Sequence, residues 1–233
     1  MSLPFAEPGQ SGKSGQPGPY SQLEGQPGPA GQLGRPVKPR RMRGNRPAYT
    51  TETLLDVAVT VFTSRGYEGT SMEDLAAAAG LSKSSIYHHV QGKQQLLALA
   101  LDRALDGLFA VLTEPGATAG AAVDRLTHVI RSTVGVLLDE LPYVTLLLRV
   151  RGNSPTELAA LARRRDFDQL VANLVLQAQR QGDVAAELDA AIVTRLIFGM
   201  INSLTEWYRP NRVDRVDLPE TVVQLVLTGL APH

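Results

Sequence analysis

An all-α fold is predicted by three observations on this 233-residue sequence. Beyond residue 50 the apolar residues recur at helical intervals, i, i+3, i+4 and i+7. No stretch alternates apolar and polar residues between hairpin turns, as a half-buried strand would. Residues suited to start a helix precede the periodic runs, and glycine or proline follows them. With 43% hydrophobic residues the chain has enough apolar surface for a real core.

Composition narrows the function before any motif is read. Without cysteine there is no disulfide framework, no thiolate zinc site and no thiol nucleophile. Four scattered histidines lack carboxylates at ligand spacing, so neither a metal nor another cofactor is expected. No apolar run approaches the roughly 20 residues of a membrane span, and the start lacks a signal peptide's order of charge and apolarity. A soluble cytoplasmic protein with no membrane partner is the expectation. Net charge is zero, but Arg35 to Arg46 holds six basic residues and no acidic one. A basic footprint beside a mildly acidic body suits a DNA-reading module joined to a sensing domain.

Residues 1–46 are expected to be a disordered tail rich in glycine and proline, ending in the basic arm. Arg40, Arg41, Arg43 and Arg46 are its candidate DNA contacts, either phosphate or minor groove. Thr51 to Arg65 is the first helix, with Leu54, Leu55, Ala58, Val61 and Phe62 on one face and Gly66 as the stop. Thr70-Ser71-Met72-Glu73 reads as a capping box in which Glu73 reaches back. Leu75, Ala76 and Ala79 then face inward until Gly80, which tolerates the left-handed conformation that ends a helix. Ser82 caps a second short helix, Lys83 to His89, anchored by Ile86. A small residue at the crossing, a turn glycine and an aliphatic anchor are what a helix-turn-helix needs. The bland alternative for this spacing is an αα-hairpin inside a helical core.

Gly92 opens a fourth helix with apolar residues from Leu96 to Val111, ended by Thr113-Glu114-Pro115-Gly116. Helices are expected over Ala119–Asp139 and Tyr143–Arg151. Ser154-Pro155-Thr156-Glu157 reads as a capping box with proline at the first helical position. It starts a long helix, with Leu158, Leu161, Leu170, Leu174 and Ala178 inward, that runs to Gly182. Another helix spans about Leu188 to Tyr208, and Asp217 to Glu220 cap a last one ending at Leu230.

Taken together, these motifs resemble the TetR family of transcriptional regulators. Phe62 to Tyr67 reads F-x-x-x-G-Y, Gly69 to Ser71 reads G-T-S, and residues 78–96 read A-A-G-L-S-K-S-S-I-Y-H-H-V-x-G-K-x-x-L. The match covers about residues 47–107; the family usually has Phe at Val90 and Glu at Gln94. The resemblance implies a DNA-binding domain at 47–107 and a helical ligand-binding and dimerisation domain at 108–233. It implies a homodimer that binds a double-stranded DNA operator and answers to a small-molecule effector, and no enzyme. The Trp207-Tyr208-Arg209-Pro210 ending is similar to members that sense acyl-coenzyme A thioesters. A ligand-released repressor is the leading expectation; a constitutive architectural DNA-binding protein is the alternative.

For base reading the candidates are Lys83, Ser84 and Ser85, at the end of the recognition helix that meets the groove first, with Ser82 as its cap. Thr70, Ser71, Tyr87, His88 and Lys93 are the phosphate candidates. Polar residues within apolar helices are the ligand candidates: His128, Arg131, Tyr143, Arg149, Asn202 and Trp207. Phe109 and Phe167 are expected as pocket or core walls, and Arg163 to Arg165 as a solvated face that could also attract a phosphate-bearing ligand near the pocket mouth. For the dimer interface the candidates are Leu196, Gly199, Met200, Ser203, Leu204, Val222, Val226 and Leu230.

Overall fold

The computed structural model describes residues 50–209 and 217–231, and these residues are all-α. Arg40, Arg41, Arg43 and Arg46 lie outside the described residues. Helix α1 (Thr51–Arg65) starts where the sequence predicts, with Thr50 accepting from the Thr53 N–H and Gly66 ending it at φ +82°. Helix α2 (Met72–Ala79) ends at Gly80, whose φ of +64° is the left-handed cap that spares a Cβ its clash. Helix α3 (Lys83–Tyr87) follows after the turn, two residues shorter than expected.

The capping box before α2 is displaced by one residue from the sequence reading. Ser71 is the N-cap and Asp74, not Glu73, reaches back to it. Thr70 is buried and its hydroxyl donates to Gly66 O at 2.7 Å. In T-S-M-E-D two overlapping hydroxyl–carboxylate pairs compete. Burial of Thr70 decides between them.

Helix α4 (Lys93–Val111) runs unbroken through residues 107 and 108. A short α5 (Pro115–Thr118) follows, then α6 (Ala122–Asp139), α7 (Leu141–Arg149), α8 (Pro155–Gln181), α9 (Ala190–Trp207) and α10 (Leu218–Leu230). In this body α6 packs against α8 and α10, α8 against α4 and α9, and α7 against both α1 and α4. On α8 the inward residues are Ala160, Phe167, Val171, Leu174, Val175 and Ala178, whereas Leu158 and Leu170 are exposed. A helix with three neighbours, here α4, α6 and α9, buries a broad arc, and the expected leucine stripe straddles its edge.

Ser154 caps α8 by accepting from the Glu157 N–H at 3.2 Å. Glu157 does not complete the box. Its buried carboxylate takes the N–H groups of Arg151, Gly152 and Asn153 on one oxygen at 3.0, 2.8 and 3.0 Å, folding the α7–α8 loop around itself. Three charge-assisted bonds to a desolvated anion outweigh one exposed cap bond. Glu157→Ala is therefore expected to lower stability by about 2–3 kcal/mol, and Ser154→Ala by about 1 kcal/mol. Urea unfolding of the two variants gives the ranking, and equal losses would mean that water replaces the carboxylate in the loop.

Candidate nucleic-acid interface and interior cavity

The outward face of α3 carries Lys83, Ser84, Tyr87 and His88, all exposed, with Ser85 half-buried, while Ile86 is fully buried beneath them. Burying one residue of a five-residue helix aims the rest outward, because side chains at i and i+3 or i+4 share a face. Ser82 accepts from the Ser85 N–H and also bonds the hydroxyls of Ser84 and Ser85, at 2.9 and 2.8 Å. The three serines thus form one hydroxyl cluster at the end of α3 that would enter a groove first. Val90, where the family resemblance leads one to expect Phe, is buried and still seats the end of this unit.

Two basic candidates differ in how far the fold engages them. Lys83 pairs with Glu73 across the helix-turn-helix, both side chains being more than half exposed. That contact lowers the Glu73 carboxyl's pKa and raises that of the Lys83 ammonium, through the shared hydrogen bond first. Lys93 donates to Tyr67 O and Glu68 O at 3.1 and 3.4 Å and lies 4.5 Å over the Tyr67 ring. It holds the loop before α2 in place, leaving one ammonium hydrogen for another partner. No side chain caps Gly92 at the start of α4, so the first-turn N–H groups beside Lys93 are open to an anion. Ser71 is exposed but tied to Asp74 at 2.6 Å, and Thr70 faces inward. Neither hydroxyl is free in the way the sequence suggests.

Within the body, a partly open cavity of about 30 Å³ lies among α4, α6, α7, α8 and α9. Leu108, Leu137, Val144, Leu147, Phe167 and Phe198 are among its apolar walls. Thr133, Arg164, Asp168 and Asn202 bring polar atoms to it. The Thr133 hydroxyl is buried without a hydrogen-bond partner among the described residues. Burial raises the Asp168 carboxyl's pKa against the attraction of Arg164 and Arg195. Phe167 meets Phe109 edge-on and Phe198 at a tilt, with ring centroids 5.7 and 5.5 Å apart.

Of the six ligand candidates only Asn202 lines this cavity. His128 bonds Glu114 at 2.5 Å and lies flat on Gly116, where a Cβ would stand 2.4 Å from its ring. Arg131 pairs with Glu220 of α10 at 2.7 Å. Arg149 donates to Thr63 O of α1, and Trp207 is half exposed with its indole 3.4 Å from Ser203 Oγ. Tyr143 is buried between head and body, its hydroxyl donating to Asp56 of α1 and accepting from Arg103 of α4 at 3.3 Å. Arg103 also grips Glu140 with two bonds, 2.7 and 2.9 Å. Apart from Trp207, whose partner is on its own helix, these polar groups bridge separate elements that a single sequence cannot pair up.

Nor is the Arg163–Arg165 run uniformly solvated: Arg163 clasps Asp102 and Asp106 of α4, Arg164 lines the cavity, and Arg165 is exposed. Thr133, Asp168 and Phe198 escape the sequence reading because nothing local separates them from an ordinary helix surface.

The candidate interface also divides. On α9 Leu196, Gly199, Met200 and Ser203 are exposed, in line with Ile192 and Trp207, and Leu225 of α10 is exposed too. Leu204, Val222, Val226 and Leu230 are buried within the chain instead. Helix α10 turns that apolar face to α6 and α9, so its outward face is Thr221, Gln224, Leu225, Thr228 and Gly229. Among the described residues no helix is long and apolar enough to cross a membrane.

A helix-turn-helix head on a helical body with an interior cavity defines a class, and comparison with known proteins identifies it. Residues 54–100 match the model of bacterial regulatory proteins of the tetR family. Residues 119–230 match that of the tetracyclin repressor-like C-terminal domain. The chain belongs to the TetR family of transcriptional regulators. It is 56% identical to SCO3833, a member from Streptomyces coelicolor A3, with a TM-score of 0.73 over 79% of this chain and 94% of that one. It is 28% identical over 192 residues to the HTH-type transcriptional repressor KstR2 of Rhodococcus jostii, covering 77% of this chain and 91% of that protein. AibR in complex with isovaleryl coenzyme A and operator DNA shares the fold, at 24% identity and a TM-score of 0.65 over 78% of this chain and 98% of that one.

The Lys83–Glu73 pair separates specificity from affinity. Glu73→Gln is expected to strengthen binding to every DNA sequence about two- to five-fold, as loss of an exposed counter-charge should. Lys83→Ala should weaken binding roughly ten- to a hundred-fold at one or two base positions and relax preference there. Selection on randomised duplexes reads both. A changed consensus with Glu73→Gln and an unchanged one with Lys83→Ala would reverse the assignment.

Proposed function

We propose that the chain is a sequence-specific repressor that binds operator DNA as a homodimer and is released by a small-molecule effector. In this reading residues 47–107 are the DNA-binding domain and 108–233 the effector and dimer domain. The observation that carries it is the apolar-walled cavity in the body, lined also by Thr133, Arg164, Asp168 and Asn202. A buried donor left without a partner costs about 1–3 kcal/mol, and a ligand group in the cavity would supply the partner that Thr133 lacks.

The path from cavity to DNA runs through α7. Val144, Leu147 and Leu148 face the cavity, while Tyr143 and Arg149 hold α1. At about 30 Å³ the cavity has room for a water-sized group, so an effector enters by parting its walls. Displacement of α7 then re-aims α1 and the head, and two heads no longer match successive major grooves roughly 34 Å apart. That KstR2 is a repressor supports repression, and that AibR was solved with isovaleryl coenzyme A supports an effector of the acyl thioester type.

Sequencing the DNA fragments retained by the purified chain, then screening compounds for their release, tests the reading. Thr133→Leu together with Asn202→Phe, which fill the cavity, should leave retention intact and abolish release. Release that survives the filled cavity would place the effector elsewhere, and an absence of any releasing compound would leave a constitutive DNA binder. For the dimer, the exposed α9 stripe supports a self-complementary interface. Leu196→Asp with Met200→Asp is expected to give monomers with much weaker DNA retention, and sedimentation that shows an unchanged dimer would refute this face.

A further inference from the structure

Where the end of α1 faces the α7–α8 loop, a groove of about 510 Å³ opens between head and body. That volume lies in the range of small-molecule sites, about 300–1,000 Å³. Thr63, Arg65 and Tyr67 line it from the α1 side, and Arg149, Arg151 and Asn153 from the other. Arg149 and Arg151 are exposed, and among the described residues neither has a carboxylate within ion-pair distance. Elsewhere the fold pairs its arginines: Arg103 with Glu140, Arg131 with Glu220, and Arg163 with Asp102 and Asp106. Glu157 also lines the groove, but it is buried and the N–H groups of Arg151, Gly152 and Asn153 already meet its charge. Three arginines therefore stand against two open acids, Glu68 of the lining and Asp74, which is paired to Arg65.

The groove has other unused capacity. Arg149 gives one N–H to Thr63 O. A guanidinium carries five N–H groups in a planar fork, so Arg149 can keep that contact and still hold an anion. Thr63 also has a buried hydroxyl without a hydrogen-bond partner among the described residues. The apolar side chains of Phe62, Leu97 and Leu146 complete the lining. A bare inorganic ion would leave these uncovered, and a wholly apolar ligand would leave the guanidinium groups unanswered.

We infer that this groove is a second ligand site, separate from the cavity in the body, for a small organic polyanion whose phosphate or carboxylate groups lie on Arg149 and Arg151. Its walls come from two elements, α1 with the loop after it and α7 with the loop after it. A ligand held by both walls ties them together, as the Arg149–Thr63 contact already does. By linkage, it opposes any ligand in the cavity that moves α7 away from α1. That consequence for DNA rests on the repressor reading above; the site itself does not.

The test is calorimetric titration of the full chain, without DNA and at fixed ionic strength, with fructose 1,6-bisphosphate, citrate, inorganic phosphate and fructose. The bisphosphate or citrate is expected to bind at least about ten-fold more tightly than inorganic phosphate, and fructose not at all. Which of the two binds separates a phosphate ester from a polycarboxylate. Arg151→Gln should weaken that ligand about ten-fold. Thr63→Val should weaken it about three-fold without lowering the unfolding temperature, because the hydroxyl it removes has no partner. Arg180→Gln, an exposed arginine outside the lining, should leave binding unchanged, as should the cavity-filling pair Thr133→Leu with Asn202→Phe. Hydrogen exchange should slow on both walls together, at residues 62–69 and 149–153. Neither anion bound, unchanged affinity in Arg151→Gln or Thr63→Val, equal weakening by Arg180→Gln, or protection of one wall alone would each overturn the site. Loss of binding in the cavity-filled variant would overturn it too, by moving the anion into the body. These measurements involve no DNA, so their failure leaves the repressor reading standing, and its failure leaves them standing.

Discussion

Helix α7 has nine residues and two buried faces, and the relation of head to body hangs on it. Its Tyr143 hydroxyl reaches Asp56 on α1 and Arg103 on α4, while Val144, Leu147 and Leu148 wall the cavity. Protein interiors are close-packed and do not deform smoothly. A helix this short cannot absorb a push on one face without handing it to the other. Helix α4 is a second link, since it begins beside the helix-turn-helix and ends against α8, where Asp102 and Asp106 hold Arg163. The head is therefore carried on two struts, and both of them touch the cavity wall or the helix that forms it.

How much of this was legible in the sequence depended on how local the physics was. Helix α1, the Gly80 turn, the Ser82 cap and the Ile86 anchor are decided within a few residues, and all were readable. The sequence places the box before α2 one residue early because Ser71–Asp74 and Thr70–Glu73 are equally good pairs by spacing, and only the burial of Thr70 separates them. Glu157 shows the same limit: its spacing fits a capping box, but the loop ahead of it supplies better donors.

The candidate site was less legible, for a different reason. His128, Arg131, Tyr143 and Arg149 stand out as polar residues in apolar helices, and each turned out to bridge to another element. Thr133 and Asp168 do not stand out, yet both line the cavity. Which polar side chain finds a partner and which is left over is a property of the packed structure. The α10 residues make the same point. Val222, Val226 and Leu230 are an apolar face, and sequence alone could not tell whether that face met another copy or α6.

The Lys83–Glu73 pair has a consequence for how such a head would search a genome. If Lys83 reads bases as proposed, a lysine already held by a carboxylate would be handed over only where a base edge offers a better acceptor, and the carboxylate left behind would repel nearby phosphates. On random duplex the exchange would gain little and dwell times would be short, whereas at a matched site it would be favourable and the complex would persist. An acid beside that lysine would then trade a little grip for faster sampling, favouring discrimination by residence time over discrimination by capture.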